Sequence, residues 1–366
     1  MPDIANSTYR KLAKWYQGDS KFLHTVSNIC YNLIGLPLFW FCLGKAQIKM
    51  LPGLVSELKR QNRKVTAFTK LDVLYEFIFF GYMAYEYIAY RFEGRSARDR
   101  HTFYSEMDRW KFMNICNTRS DKWKLRNKRL AYEIFKKWYA RDQIVVTSTN
   151  DLEAYTKFIS KHTKFFIKPF AGGGGVNSGW FDTTKYSTPL ESLEAILKNG
   201  AYVLEEGVYQ CEAMSKFNPD SINTLRIVTI KQGDKVSNWC SFVRTGRKGC
   251  PVDNGGRGGI IIGVDINTGE MNTDGINEQG EIFETHPDSC VKFKGFQLPL
   301  WKESCEMAIE MMDAMPNMRC IGWDIALTNK GPVVIEANGQ TALCGPQITQ
   351  QKGLRKEYEE ILMSMK

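Results

Sequence analysis

Histidine is scarce in this chain, and its cysteines form no pattern. The 366 residues include four His and ten Cys, at 30, 42, 116, 211, 240, 250, 290, 305, 320 and 344, with no C-x-x-C pair. A structural zinc site needs such clusters, so none is expected. MPDIANSTYR has no leader pattern, and a chain of this length is expected to keep its cysteines as free cytosolic thiols. Long apolar runs are missing too. Residues 29–43 (ICYNLIGLPLFWFCL) are nearly charge-free, but the run is short of the roughly 20 residues that span a bilayer and contains Pro37. Residues 71–92 are rich in Phe and Tyr yet carry Asp72, Glu76 and Glu86. Both stretches suit a packed helical subdomain. Docking of their aromatic and basic residues on the inner membrane face is the competing expectation. No internal repeat or low-complexity linker breaks the chain.

The charge is uneven. Net charge is +9, but residues 1–140 carry +13 and the remainder −4. That asymmetry speaks against a surface coated for nucleic acid and for a basic module joined to a separate globular body. Residues 1–112 read as helical and basic. An α+β body follows from about 113 and divides near 207, giving parts 113–207 and 208–366. Strand-like runs occur at 144–147, 164–170 and 201–208, with helical spacing between them. Beyond 208, three hairpins are expected: 224–246 around Gly233-Asp234, 260–271 around Asn267 to Gly269, and 320–339 around Asn329 to Pro332. Helices are expected at 301–315 and 353–366. Strands joined by hairpins argue against a doubly wound sheet.

Three segments carry chemistry. AGGGGVNSG (171–179) follows a strand ending in Lys168-Pro169. Gly172, Gly173, Gly174 and Gly175 would let backbone N–H groups approach an anion, with the Lys168 ammonium in reach of a phosphate. No G-K-[ST] closes the loop and no helix opens behind it, which excludes a Walker A loop and a dinucleotide fingerprint. In the last hairpin, Glu336 and Asn338 share a face of one strand, and the turn brings Asp324 alongside. Two carboxylates and a carboxamide suit Mg²⁺. Between these segments lie Asn223 with Arg226, then Arg244, Arg247 and Arg257. Arginines opposite a Mg²⁺ site would hold a phosphoryl group in transfer.

In this order (K-P with its glycine loop, E-E-x-V, N-T-x-R, a glycine-rich strand, then D…E-x-N) the segments resemble the ATP-grasp superfamily. SINTLRIVT, IGWDIAL and VVIEANG are similar to its sugar-transfer-associated family from bacterial surface-polysaccharide clusters. The resemblance covers about 113–366 and implies an α+β ATP-grasp fold of two lobes gripping ATP, 113–207 with the glycine loop and 208–366 with the metal site. It implies Lys168 and Lys128 on the phosphates, Gly172 to Gly175 as a lid, and backbone groups of Glu206 and Val208 on the adenine edge. It further implies Glu205 beside the exocyclic amine, and Glu212 on the ribose with Gln210 as a competitor. Arg226 and Arg244 would serve the γ-phosphate and an acyl phosphate. Asp324, Glu336 and Asn338 would hold two Mg²⁺, with Glu336 bridging. The implied activity is ADP-forming ligation of a carboxylate, on a sugar or amino acid, to an amine. A hydroxyl kinase and a non-catalytic nucleotide-binding scaffold at the membrane are the alternatives. No nucleic-acid partner is expected, and the setting is cytoplasmic, with peripheral membrane contact through residues 1–110.

Overall fold

Polar residues cap the helices between Ser96 and Tyr139, whereas several others begin after an apolar residue. A computed structural model describes residues 36–171 and 175–365, those of 36–40 by backbone alone. The chain divides into two units between Tyr87 and Ile88. The first contains α1 (Leu36–Arg60) and α2 (Thr69–Phe80), which pack on one another and bury Leu51, Leu54, Leu58, Val73 and Phe77. Gly81, at φ 75°, ends α2 by returning its N–H to the carbonyls of the last turn. α3 (Ala84–Ala89) straddles the division.

In the second unit the charged tract after Arg91, which shows little alternation in sequence, is helical. It forms α4 (Ala97–Arg100), α5 (Glu106–Cys116), α6 (Arg119–Arg126) and α7 (Lys128–Tyr139). Side chains of Ser96, Ser105, Thr118 and Asn127 accept the first free N–H groups of these four helices. The first strand comes only after them.

Strands β1 (Gln143–Val146), β2 (Lys164–Pro169), β3 (Gly179–Asp182) and β4 (Tyr202–Glu206) form an antiparallel sheet in the order β1-β4-β2-β3. Helices α8 (Leu152–Ile159) and α9 (Pro189–Leu197) cover one face, packing Tyr155, Phe158, Leu193 and Ile196 on Val146, Phe165, Tyr202 and Leu204. The short α10 (Glu212–Ser215) leads to a second antiparallel sheet. Its strands are β5 (Leu225–Gln232), β6 (Lys235–Thr245), β7 (Ile260–Val264), β8 (Met271–Asn277), β9 (Ile282–Phe283), β10 (Cys320–Thr328) and β11 (Gly331–Asn338), ordered β11-β10-β5-β6-β7-β8-β9. Helix α11 (Trp301–Met312) packs Met307 and Met311 into the core of Leu225, Ile227, Trp323 and Ile325 on one face. On the other face Phe112 and Tyr358 meet Val228, Ile230 and Cys320. Helices α12 (Cys344–Gln350) and α13 (Arg355–Ser364) complete the unit.

The turns at Gly233-Asp234 and Asn329-Lys330 are where the sequence places them. The middle hairpin is longer than its reading of 260–271, because its second strand runs to Asn277. α12 was not expected. Its residues, CGPQITQ, carry little helical signal, and Pro346 stands in the first turn, where a missing N–H is harmless. Among the described residues every cysteine is a free thiol.

Asn117, which caps the C-terminus of α5, ties that helix to the large sheet. Its Nδ2 donates to Cys320 O at 2.6 Å and Gly339 O at 2.9 Å, and its Oδ1 accepts from Arg319 N at 3.0 Å and Cys320 N at 3.2 Å. Asn117→Ala removes a bond from four backbone groups, of which Arg319 N keeps Cys116 O, and we expect a loss of about 2 kcal/mol. A lowered urea midpoint at unchanged slope is the readout. An unshifted midpoint would mean that these groups find other partners.

Candidate active site

Strand register builds two transverse rows of side chains that line one cavity of about 1020 Å³. On the smaller sheet, Gln143, Glu205, Phe166 and Trp180 stand opposite one another across β1, β4, β2 and β3. Lys168 lies two residues beyond Phe166 on β2 and so shares its face. Its Nζ is 2.8 Å from Glu205 Oε2, and Arg141 Nη2 is 3.1 Å from the same oxygen. Gln143 Nε2 donates to Glu205 Oε1 at 2.9 Å. Burial works against the Glu205 charge, but Arg141 and Lys168 outweigh it and hold the carboxyl at about 2. Lys128, at the start of α7, donates to Pro169 O at 2.8 Å and lines the same cavity. Burial lowers its pKa, against the pull of Glu336.

The outer end of this wall is aromatic. The Trp180 ring stacks with Tyr209 at 5.7 Å and meets Phe166 edge-on at 5.8 Å. Gly207 permits this, because a Cβ there would stand 2.7 Å from the indole. The Glu206 N–H is taken by Asp142 O at 2.9 Å, whereas no described group accepts from Val208 N–H. A flat apolar slot beside a free backbone donor suits a heteroaromatic base.

The second row crosses the large sheet, with Glu336, Asp324 and Arg226 opposite one another on β11, β10 and β5. Arg226 grips both oxygens of Asp324, with Nη2 at 2.8 Å from Oδ2, and its Nη1 donates to Thr341 Oγ1 at 3.2 Å. Gly322 makes room for that threonine, because any Cβ at 322 would overlap its hydroxyl. Arg244 Nη2 lies 3.1 Å from Asp324 Oδ2. Thr224 Oγ1, which itself donates to Asp253, accepts from Arg244 Nε at 3.0 Å and Nη2 at 2.9 Å. Asn338 Nδ2 donates to Asp324 Oδ2 at 3.3 Å. Burial opposes the Asp324 charge, and Arg226 with Arg244 overcomes that and lowers its pKa.

Glu336 behaves differently. A bulge pairs Asp324 with Glu336 but Ile325 with Val334, so Ile335 is an extra residue, and both Ile335 and Glu336 line the cavity. The Glu336 carboxylate accepts no hydrogen bond from a described residue. Its side chain is exposed into the cavity, where the enclosing walls and then the Asp324 charge raise its pKa, against Lys168, Arg226 and Arg244. A carboxylate without a donor, beside a second carboxylate and a carboxamide, fits a hard divalent cation that takes oxygen ligands.

The cavity therefore gathers Lys128, Lys168, Gly175, Glu205, Glu206, Val208, Arg226, Arg244, Asp324, Glu336 and Asn338. Gly172, Gly173 and Gly174 lie outside the described residues. The oxygens of Glu205, expected beside a base amine, are engaged by Arg141, Gln143 and Lys168. Three expected residues do not line the cavity. Glu212 is exposed on α10, while Gln210 lines the wall. Arg257 is exposed in the turn before β7. Asn223 is fully buried, its Nδ2 donating to Gln210 Oε1, Met214 O and Asn218 O and its Oδ1 accepting from Thr245. That pattern folds the loop before β5 and leaves little for a ligand. Sequence reasoning missed Arg141, Trp180, Thr341 and Glu278, none of which stands in a motif. Glu278 lines the cavity, is exposed, and makes no hydrogen bond or ion pair with a described residue.

This is an α+β ATP-grasp fold preceded by a helical N-terminal region. Residues 108–362 match the model of the sugar-transfer associated ATP-grasp family, and the chain belongs to that family. No curated protein matches it. Among solved structures, it is similar to the ATP-grasp ligase PsnB complexed with minimal precursor, at 12% identity over 68% of this chain and 64% of that one, with a TM-score of 0.42. The D-alanine–D-alanine ligase from Bacillus anthracis is similar at 12% identity over 66% and 67% of the two chains, with a TM-score of 0.39. The VanG D-Ala:D-Ser ligase from Enterococcus faecalis is similar at 14% identity over 66% and 60%, with a TM-score of 0.41. The chain thus spans less than two thirds of the PsnB chain it matches.

If Lys168 exchanges its Glu205 partner for nucleotide phosphate, Lys168→Ala should reduce binding of Mg-ATP by about tenfold or more. Thermal stabilisation by Mg-ATP, which follows the logarithm of ligand over Kd, reports the change. Equal stabilisation of both proteins would remove Lys168 from the phosphate site.

Proposed function

We propose that the protein is an ATP- and Mg²⁺-dependent, ADP-forming carboxylate–amine ligase acting on a sugar or amino-acid substrate in cell-surface polysaccharide biosynthesis. The observation that carries this reading is the row of Glu336, Asp324 and Arg226, with Arg244, in the same cavity as the Lys168–Glu205 pair. The substrate class rests on the family alone. A cytoplasmic protein, peripheral on the inner membrane face, is the setting we propose.

The slot of Trp180, Tyr209 and Val208 would take the adenine, and Lys168 and Lys128 the phosphates. Asp324, Glu336 and Asn338 would hold Mg²⁺, two ions on this reading, whose charge neutralises phosphate oxygens. A substrate carboxylate oxygen attacks the γ-phosphorus, and the bond to the bridging oxygen breaks with release of ADP. Arg226 and Arg244 hold the resulting acyl phosphate by charge-assisted donation. The amine nitrogen then attacks the carbonyl carbon, loses its proton, and expels phosphate. No side chain forms a covalent bond, so no nucleophile is needed. A closed cavity would keep water from the acyl phosphate.

Glu336→Gln keeps the shape and removes the charge of a carboxylate that accepts no hydrogen bond from a described residue. We expect a normally folded protein with turnover reduced about 100-fold or more. Full activity would exclude Glu336 from the metal site, and unfolding would assign it a structural role.

The reaction class is tested by trapping. Uronic acids and amino acids are screened with candidate amines for stimulated ADP release. Hydroxylamine should then divert the acyl phosphate to a hydroxamate, with free phosphate appearing in step with ADP. A stable phosphate ester in place of hydroxamate would make the protein a kinase.

A further inference from the structure

We propose that the outer face of α2 docks on an anionic lipid bilayer, an inference that stands independently of the ligase reading. α2 is apolar on two opposite sides. Thr69, Val73, Glu76 and Phe77 are buried, while Leu71, Tyr75, Ile78 and Phe79 are exposed by 62%, 50%, 59% and 67%, with Phe68 before them at 71%. At about 100° per residue these five fall within one arc of roughly 100°. A surface helix usually turns polar residues outward, and one that is apolar all round is normally covered. α1 adds Phe41, Ile48 and Met50 to the exposed apolar residues of this unit.

Charge selects the covering surface. Over residues 41–80, Lys45, Lys49, Lys59, Arg60, Lys64 and Lys70 are exposed. The acids of that stretch are engaged or buried. Glu57 accepts from Arg60 Nε at 3.0 Å, Asp72 accepts from Tyr87 OH at 2.6 Å, and Glu76 is buried. A second copy would bring like charge against like. A bilayer containing anionic lipid offers an apolar interior for the aromatic stripe and negative headgroups for the cations. Among the described residues no helix is long and apolar enough to cross a membrane, so the contact is peripheral.

The test is co-sedimentation of the full chain with vesicles of phosphatidylcholine, with and without phosphatidylglycerol, at rising salt. Binding is expected only to the anionic vesicles and should fall as salt rises. Leu71→Gln with Phe79→Gln, at exposed positions, should weaken it about tenfold or more while leaving the thermal transition and Mg-ATP binding unchanged. Lys64→Gln with Lys70→Gln should flatten the salt dependence. Failure to bind anionic vesicles at low salt, or binding indifferent to both pairs of substitutions, would overturn the proposal. So would a dimer in sedimentation that Leu71→Gln with Phe79→Gln dissociates, since the face would then belong to a second copy.

Discussion

The clasp of Arg226 and Arg244 on Asp324 sets the terms for the second unit. A carboxylate inside a sheet interior is strongly disfavoured unless cations and donors surround it. Asp324 is 2% exposed in a strand whose every residue is buried. Two guanidinium groups from two other strands must therefore arrive in register, and the antiparallel order β10-β5-β6 delivers them. Gly322 and Thr341 fix the Arg226 plane, while Thr224 and Asp253 fix Arg244. A one-residue slip of β5 against β10 would turn Arg226 into the core and leave Asp324 without it.

The opposing wall repeats the device with a different cation. Glu205 is held between Arg141 and Lys168, as Asp324 is held between Arg226 and Arg244. Both walls thus store positive charge in ion pairs that a polyanion can compete for. Arg141 is buried and also donates to Val334 O at 2.7 Å on β11, so it connects the two sheets and is poorly placed to leave. Lys168 has a flexible stem and is 20% exposed, which makes it the cation suited to exchange carboxylate for phosphate. Glu336, exposed into the cavity, accepts no hydrogen bond from a described residue. The cavity thus brings cations and carboxylates together from both sheets.

Much of this was legible in the sequence because motif residues sit at fixed offsets on strands. Glu336 and Asn338 are two apart, and Lys168 closes a strand before the glycines. The turns at Gly233 and Asn329 announce themselves by residue type. What periodicity could not supply was register. The bulge at Ile335 and the rows that align Gln143 with Trp180 depend on partners far away in the chain. Motif order also named Asn223, Glu212 and Arg257, none of which lines the cavity. Asn223 serves the loop before β5, and the other two face solvent. Arg141 carries no motif at all. Between Ser96 and Tyr139 the useful signals were caps, Ser96, Ser105, Thr118 and Asn127, and not alternation. α12 is held by burial of Gln347, whose side chain joins Tyr104 N at 2.7 Å and Tyr90 OH at 3.2 Å, a reason invisible locally.

The charge asymmetry of the chain acquires a physical meaning in these terms. In the second unit the cations of the cavity are matched by Asp324, Glu205 and Asp253, and the field is local and short-ranged. Over residues 41–80 Glu57 is paired with Arg60, Asp72 is bonded to Tyr87 and Glu76 is buried, while Lys45, Lys49, Lys59, Lys64 and Lys70 remain exposed. The same residue types thus make paired, desolvated charge in one unit and a solvated positive surface in the other. Coulombic attraction across water reaches only about 8 Å at physiological ionic strength. The exposed cations can therefore steer toward an anionic surface but cannot alone hold the protein there. The apolar stripe of Leu71, Tyr75, Ile78 and Phe79 supplies a term that salt does not screen.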